Sequence, residues 1–266
     1  MTEFTETNRK HFEYITRPHA AHYPQHAMMV TNLLSSKVAS THQNDFHELI
    51  QTAIRQIQAR RHWIGSKWTD TTPDTETRLL DYACGAGTVS KALAPFVSQT
   101  IGLDLSANMI KEYNDAADEL GLHGRMQGYQ YDLLFPFAET NAPLPSGTLS
   151  RFDVIAVGMA LHHVSEPAKL LRKFAEHLKP SGVCVVLDMV PGHHGADIEG
   201  VLEPEQLDVV KTIGKRGFSE EEMRALYAEA GIGRKFEYVV IEERFQFTMF
   251  GREFWVTGFL ARGELA

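Results

Sequence analysis

Between Arg78 and Met189, short apolar runs alternate with stretches whose apolar residues recur at helical spacing, and this alternation restricts the fold more than any other feature. Arg78 to Ala83, Thr100 to Leu103, Gln127 to Tyr131, Phe152 to Val157 and Val183 to Met189 read as strands. Most are apolar throughout, as strands covered on both faces are. Thr88 to Val97 reads as a helix, and Ser106 reads as the N-cap of another that carries Met109, Ile110, Tyr113 and Ala117 on one face. A third begins at Ser165-Glu166-Pro167, carries Leu170, Leu171, Phe174 and Leu178, and stops before Pro180 and Gly182. Phe236 to Glu242 and Glu253 to Ala261 lie too close in sequence for a crossover helix, so they are expected to pair as a hairpin. The expected architecture is α/β: a doubly wound, mostly parallel seven-stranded sheet with an antiparallel C-terminal hairpin.

Ahead of the alternation lies an N-terminal helical extension. Phe46, Leu49, Ile50, Ala53, Ile54 and Ile57 give an amphipathic helix over Phe46 to Trp63, and Met28 to Val38 can form another. The polar, proline-broken stretch from Thr69 to Thr77 reads as a joint. The expected division is therefore 1–76 as extension or lid and 77–266 as the main domain, with 190–218 closing the substrate side. Composition removes several classes. With 26 Lys+Arg against 34 Asp+Glu the chain is acidic overall, which argues against a nucleic-acid partner held by a basic face. Its 2 cysteines, Cys84 and Cys184, lie far apart in apolar runs and cannot form a disulfide scaffold or a thiolate-rich metal module. No run of about 20 apolar residues reads as a membrane span, and the N-terminus has no signal-peptide pattern. The cytoplasm is the expected compartment, with no membrane partner and no protein partner indicated.

Ligands of open parallel sheets sit beyond the carboxyl ends of the strands, and those ends are informative here. The first runs into Asp81-Tyr82-Ala83-Cys84-Gly85-Ala86-Gly87, where Gly85 and Gly87 permit a tight turn and close approach of a ligand to backbone. The second ends at Asp104, a carboxylate suited to a ribose diol, and the third is followed by Asp132, suited to an adenine amino group. Leu105, Met109 and Leu133 are available to the adenine faces. A dinucleotide site normally carries a third glycine where this chain has Ser90, and Asp81 would repel a pyrophosphate. The same carboxylate attracts an ammonium. S-adenosylmethionine, which carries an ammonium and a sulfonium, fits this charge pattern better than NAD.

Leu79 through Gly87 resembles the first motif of class I S-adenosylmethionine-dependent methyltransferases. Asp104 resembles their ribose-binding acid, Phe152 to Val164 their fourth-strand motif, and Leu178-Lys179-Pro180-Ser181-Gly182 the turn before their fifth strand. Together with Gly217 to Gly231, these motifs are most similar to the small-molecule subgroup related to ubiquinone and menaquinone biosynthesis. The segment Lys215-Arg216 departs from it, since that subgroup often carries histidine there. The resemblance implies a Rossmann-like fold, S-adenosylmethionine as cofactor with S-adenosylhomocysteine as product, and adds Ala83, Cys84 and Gly158 to the cofactor residues.

Histidines supply the candidate bases. His162 and His163 follow the fourth strand, and His193 and His194 lie in a Gly-Pro-rich loop after the fifth. His162, His193 and His194 are the catalytic candidates. His163, with Tyr14 and Tyr23 of the extension, is a candidate for the substrate wall, while the resemblance implies that His163 packs and hydrogen-bonds within its loop. His11, His19, His22 and His26 lack acidic or thiolate companions, and Pro18 and Pro24 break their helix, so no metal is expected. The aromatic concentration at Phe245, Phe247, Phe250, Phe254 and Trp255 belongs mostly to strand packing. The expected activity is methyl transfer to a small organic acceptor, at oxygen before nitrogen, sulfur or carbon. The alternatives are a non-catalytic S-adenosylmethionine-binding regulator and, more distantly, an NAD-dependent oxidoreductase.

Overall fold

A computed structural model of the chain describes residues 3–15, 45–65, 67–72, 75–139, 141–194 and 213–266. The sequence-predicted helix over Met28 to Val38 lies outside the described residues. Helices α1 (Glu3–Ile15), α2 (His47–Ala59) and α3 (Arg61–Ile64) precede strand β1 (Arg78–Tyr82). There follow α4 (Thr88–Leu93), β2 (Gln99–Asp104), α5 (Ala107–Glu119), β3 (Met126–Gln130), β4 (Phe152–Gly158) and α6 (Pro167–His177). The chain ends with β5 (Leu178–His194), α7 (Glu220–Glu229), β6 (Arg234–Met249) and β7 (Arg252–Glu264). One seven-stranded sheet runs in the order β3-β2-β1-β4-β5-β7-β6. The first five strands pair in parallel, while β7 runs antiparallel to both β5 and β6. The expected doubly wound sheet with its antiparallel hairpin is the fold.

The strands are continuously apolar because both faces of the sheet are covered, and neighbouring residues point to opposite layers. Leu80, Ile155 and Cys184 face Leu170, Leu171 and Phe174 of α6 and Met223 and Tyr227 of α7. Leu79, Val154, Val183 and Val185 face Ala53 and Ile57 of α2, Trp68, and Val89, Ala92 and Leu93 of α4. Helix α2 is thus part of the layer that covers the sheet. Burying each such Leu or Phe stabilises the fold by about 1.5–3 kcal/mol.

Several boundaries differ from the sequence reading, among them Leu178, which begins β5 and does not end α6. The helix expected over Phe46 to Trp63 breaks at Arg60, whose N–H turns back to Ile57 O at 3.2 Å, and Gly65 closes α3 with a φ of 82°. Strand β5 continues past Pro191, because a register shift between Met189 and His194 absorbs the residue that cannot donate to β7. The hairpin is longer at both ends, and Phe250 and Gly251, at φ 51° and 73°, form the two-residue turn between β6 and β7. Among the described residues no helix is long and apolar enough to cross a membrane.

Candidate active site

Parallel pairing brings the carboxyl ends of β1 to β5 to one edge, and a cavity of about 430 Å³ opens there. Asp81, Ala83, Cys84, Gly85, Asp104, Leu105, Met109, Asp132, Gly158, His162 and His163 all line it. Two expected cofactor residues do not. Gly87 is the N-cap of α4 at a φ of 88°, and a Cβ there would lie 2.9 Å from Met126 Cε and 3.2 Å from Tyr113, so this glycine serves the turn and its packing. Leu133 is buried in the core, and its neighbours Tyr131 and Leu134 face the cavity instead. Register explains the exchange: Asp132 lies two residues past the end of β3, where strand alternation no longer applies. Tyr23, and the side chains of Tyr14, His193 and His194, lie outside the described residues, as do His19, His22 and His26. Among the described residues no group of three or more His, Cys, Asp or Glu side chains is arranged to hold a metal ion.

The three aspartates are held by the turns they anchor. Asp81 Oδ2 accepts from the Ser90 N–H at 3.0 Å and the Ser90 hydroxyl at 2.7 Å, so the residue standing where a dinucleotide motif has glycine is occupied in orienting this acid. Burial pushes the Asp81 carboxyl from 3.8 up to about 7, against the Ser90 bonds and with the charge of Asp104 adding to the rise. Asp104 accepts from the Gly85 N–H and the Ser106 N–H, each at 2.9 Å, which ties the glycine turn to the start of α5. Burial raises its pKa too, opposed by those N–H groups and that of Leu105, and reinforced by Glu13. Asp132 Oδ1 accepts from the Leu134 N–H at 2.8 Å and the Tyr82 hydroxyl at 3.3 Å, and burial again raises the pKa. Three acids that resist ionisation together favour a ligand that brings positive charge and hydrogen-bond donors.

Asp132 Oδ2 is buried and accepts no hydrogen bond among the described residues. Any hydrogen-bond donor on a ligand, an exocyclic amino group among them, would satisfy it, and Leu105, Met109 and Leu134 line the same cavity. At Gly85, φ is 50° and a Cβ would meet only Met109 Sδ, at 4.0 Å, so the turn leaves its backbone open to a ligand. The residues present fit S-adenosylmethionine.

At the far side of the cavity stands a pair that the sequence reading half saw. His162 Nδ1 lies 2.8 Å from Asp188 Oδ1, and Asp188 also accepts from the main-chain N–H groups of His162 at 3.1 Å and Met189 at 2.7 Å. A carboxylate only accepts, so Nδ1 carries the hydrogen, and in the neutral ring the lone pair is then on Nε2. Asp188 is fully buried on β5 and was not among the expected site residues. Its signal was present: Leu187-Asp188 interrupts an apolar strand near its carboxyl end, as Asp81 and Asp104 do. The ring of His163 stands 4.1 Å from that of His162 and edge-on to Phe12 of α1, and its carbonyl accepts from Asn8. The cavity also has apolar walls: Phe46, Leu49 and Ile50 from α2 and its entry, and Phe247, Met249 and Val256 from the hairpin. Phe247 stacks on Phe46, and Phe245 and Phe254 are buried in the core.

Residues 42–232 match the family model described as the methyltransferase domain. An uncharacterised methyltransferase of Schizosaccharomyces pombe is 28% identical over 154 residues, 58% of this chain and 52% of that one. A ubiquinone biosynthesis O-methyltransferase of Psychrobacter arcticus is 30% identical over 109 residues, 41% of this chain and 39% of that one. The chain matches only about half, or less, of the length of these curated relatives. Among solved structures, magnesium protoporphyrin IX methyltransferase from Synechocystis PCC 6803 with bound S-adenosylmethionine aligns over 100% of this chain and 99% of its own, with TM-score 0.53 and 13% identity. The YcgJ protein of Bacillus subtilis aligns over 81% of this chain and 98% of its own, with TM-score 0.54 and 17% identity. Those structural likenesses show the fold; the domain match, together with the motifs at the strand ends, shows the family and sets the NAD alternative aside. The chain belongs to the S-adenosylmethionine-dependent methyltransferase family.

Proposed function

We propose that this chain transfers a methyl group from S-adenosylmethionine to oxygen on a small, largely apolar organic acceptor, with His162 as general base. The observation that carries the reading is His162, which is paired with the buried Asp188 at 2.8 Å and lines the same cavity as Asp81, Asp104 and Asp132. In this reading Asp81 receives the ammonium, Asp104 the ribose diol and Asp132 the adenine amino group. When bound, the cofactor supplies a methyl group already activated on a sulfonium. The protein's own work is then alignment, exclusion of water and removal of one proton. Alignment alone is worth about 7–11 kcal/mol of barrier. His162 Nε2 takes the hydroxyl proton, and Asp188 holds the ring and stabilises the imidazolium that forms, for a further gain of roughly 10²–10⁴-fold. Of the possible acceptor atoms, a hydroxyl oxygen gains most from such a base, because it is a poor nucleophile until its proton leaves. The relatives named as ubiquinone biosynthesis O-methyltransferases agree with an oxygen acceptor.

The apolar walls from α2 and the hairpin suit an acceptor with a hydrophobic body. Val190, Ile213 and Arg216, from within 190–218, and Thr5, Asn8, His11 and Phe12 of α1 line the cavity, which supports reading these two segments as its substrate-side cap. The test is transfer of radiolabelled methyl from S-adenosylmethionine to a panel of phenols, hydroxyquinones, amines and thiols. Transfer to hydroxyl acceptors is expected, falling at least about a hundredfold in His162→Ala while affinity for S-adenosylhomocysteine stays within twofold. Full activity in His162→Ala would refute base catalysis. Tight binding with no transfer to any acceptor would support the non-catalytic regulator instead.

A further inference from the structure

The amide of Asn8 is only half satisfied by the protein. This residue of α1 is 4% exposed and lines the cavity. Its Nδ2 donates to the main-chain carbonyl of His163 at 2.6 Å. A carbonyl only accepts, so that bond decides which end of the amide is nitrogen. Oδ1 is therefore the other end, and it is buried with no hydrogen-bond partner among the described residues. Buried acceptors left in that state are uncommon and costly, and one that lines a cavity points to a donor on the molecule the cavity takes.

The position of Asn8 along α1 says which molecule. Five residues later, Glu13 Oε1 accepts from the Ala107 N–H at 2.7 Å and the Glu13 carbonyl accepts from Asn108 Nδ2 at 2.9 Å, both at the start of α5 beside Asp104. Five residues of helix span about 7.5 Å, so Asn8 stands that far from the ribose end. It is bonded instead to the residue that follows His162, and consecutive Cα atoms lie only about 3.8 Å apart. Asn8 is therefore tied to the histidine end of the cavity, which His162 and His163 also line.

We propose that Asn8 Oδ1 accepts a hydrogen bond from the methyl acceptor, and so selects molecules that carry a second donor beside the nucleophilic hydroxyl on an apolar body. This rests on the methyl-transfer reading for the identity of the bound molecule. His162 takes the proton of one group, while Asn8 holds the neighbouring group with its proton in place, which fixes the oxygen to be methylated. A methoxy group or a carboxylate at the second position leaves Oδ1 unpaired or repelled.

The test is calorimetric binding of 2,3-dihydroxynaphthalene and 3-methoxy-2-naphthol to the full chain saturated with S-adenosylhomocysteine. The wild type should prefer the dihydroxy compound by about tenfold or more, the worth of one buried hydrogen bond. In Asn8→Ala the preference should fall to within about twofold, with S-adenosylhomocysteine affinity unchanged. An undiminished preference in Asn8→Ala overturns the proposal, as does a loss of S-adenosylhomocysteine affinity in its place, which would assign Asn8 to the cofactor. If the variant does not fold, the wild-type ratio decides alone, and equal affinities overturn the proposal. Binding is read without turnover, so failure of methyl transfer would refute the catalytic reading and leave this comparison intact.

Discussion

Titrating S-adenosylhomocysteine into the protein between about pH 5.5 and pH 7.5 isolates the buried carboxyl of Asp81. Burial lifts this acid to about 7, so it is mostly protonated at the lower limit and mostly ionised at the upper. Over this range the ligand's α-amino group, the ammonium of a free amino acid, stays charged. If the ionised acid receives the ammonium, the apparent Kd scales as one plus ten to the power of pKa minus pH. That factor is about 33 at pH 5.5 and about 1.3 at pH 7.5, so affinity should rise about 25-fold, roughly 2 kcal/mol. At the lower pH nearly one proton should leave per ligand bound, which appears as a heat that depends on the buffer's ionisation enthalpy. The effect on the ligand-free fold has the opposite sense. A carboxyl raised above its unfolded value stabilises the fold below about pH 4, and that contribution is lost as pH rises through about 7. In Asp81→Asn, which keeps an acceptor for Ser90, both dependences should flatten. A wild-type affinity that does not change with pH, or a slope that persists in Asp81→Asn, would refute the assignment of the ammonium to Asp81.

Three further outcomes are expected. Asp104→Ala should weaken S-adenosylhomocysteine binding by about 1.5–3 kcal/mol in calorimetry, because the same carboxylate also holds the Gly85 and Ser106 N–H groups; unchanged affinity would sink the strand-end assignment. Asp188→Asn should lower kcat by roughly 10²-fold or more with cofactor affinity within twofold, since the amide disturbs the hydrogen on His162 Nδ1; a normal kcat would free His162 from this partner. Gly102→Ala places a Cβ 2.6 Å from the Tyr113 ring and 2.9 Å from Cys84 Sγ, and should cost about 1–3 kcal/mol in urea denaturation, whereas an unmoved midpoint would mean that α5 can shift away from β2.

The sheet and the cofactor edge were legible from the chain because their causes are local. A strand covered on both faces has to be apolar throughout, so β1, β4 and β5 stand out without knowledge of their neighbours. The helix N-cap at Ser106 and the turn at Gly85 and Gly87 announce themselves by residue type. Once the strands were known to be parallel, Asp81, Asp104 and Asp132 had to share an edge. Local pattern failed where a distant partner decides the outcome. The extent of β5 beyond Pro191 depends on β7, and the exchange of Leu133 for Leu134 depends on how the chain turns after β3. The His162–Asp188 pair joins residues 26 apart in sequence, and Asn8 meets His163 across 155 residues. No periodicity in the first residues marked α1 as a wall of the cavity. Periodicity and turn chemistry act over a few residues and can be read along the chain; which histidine has a carboxylate behind it, and which amide has an oxygen to spare, are set by side chains that only tertiary packing brings together.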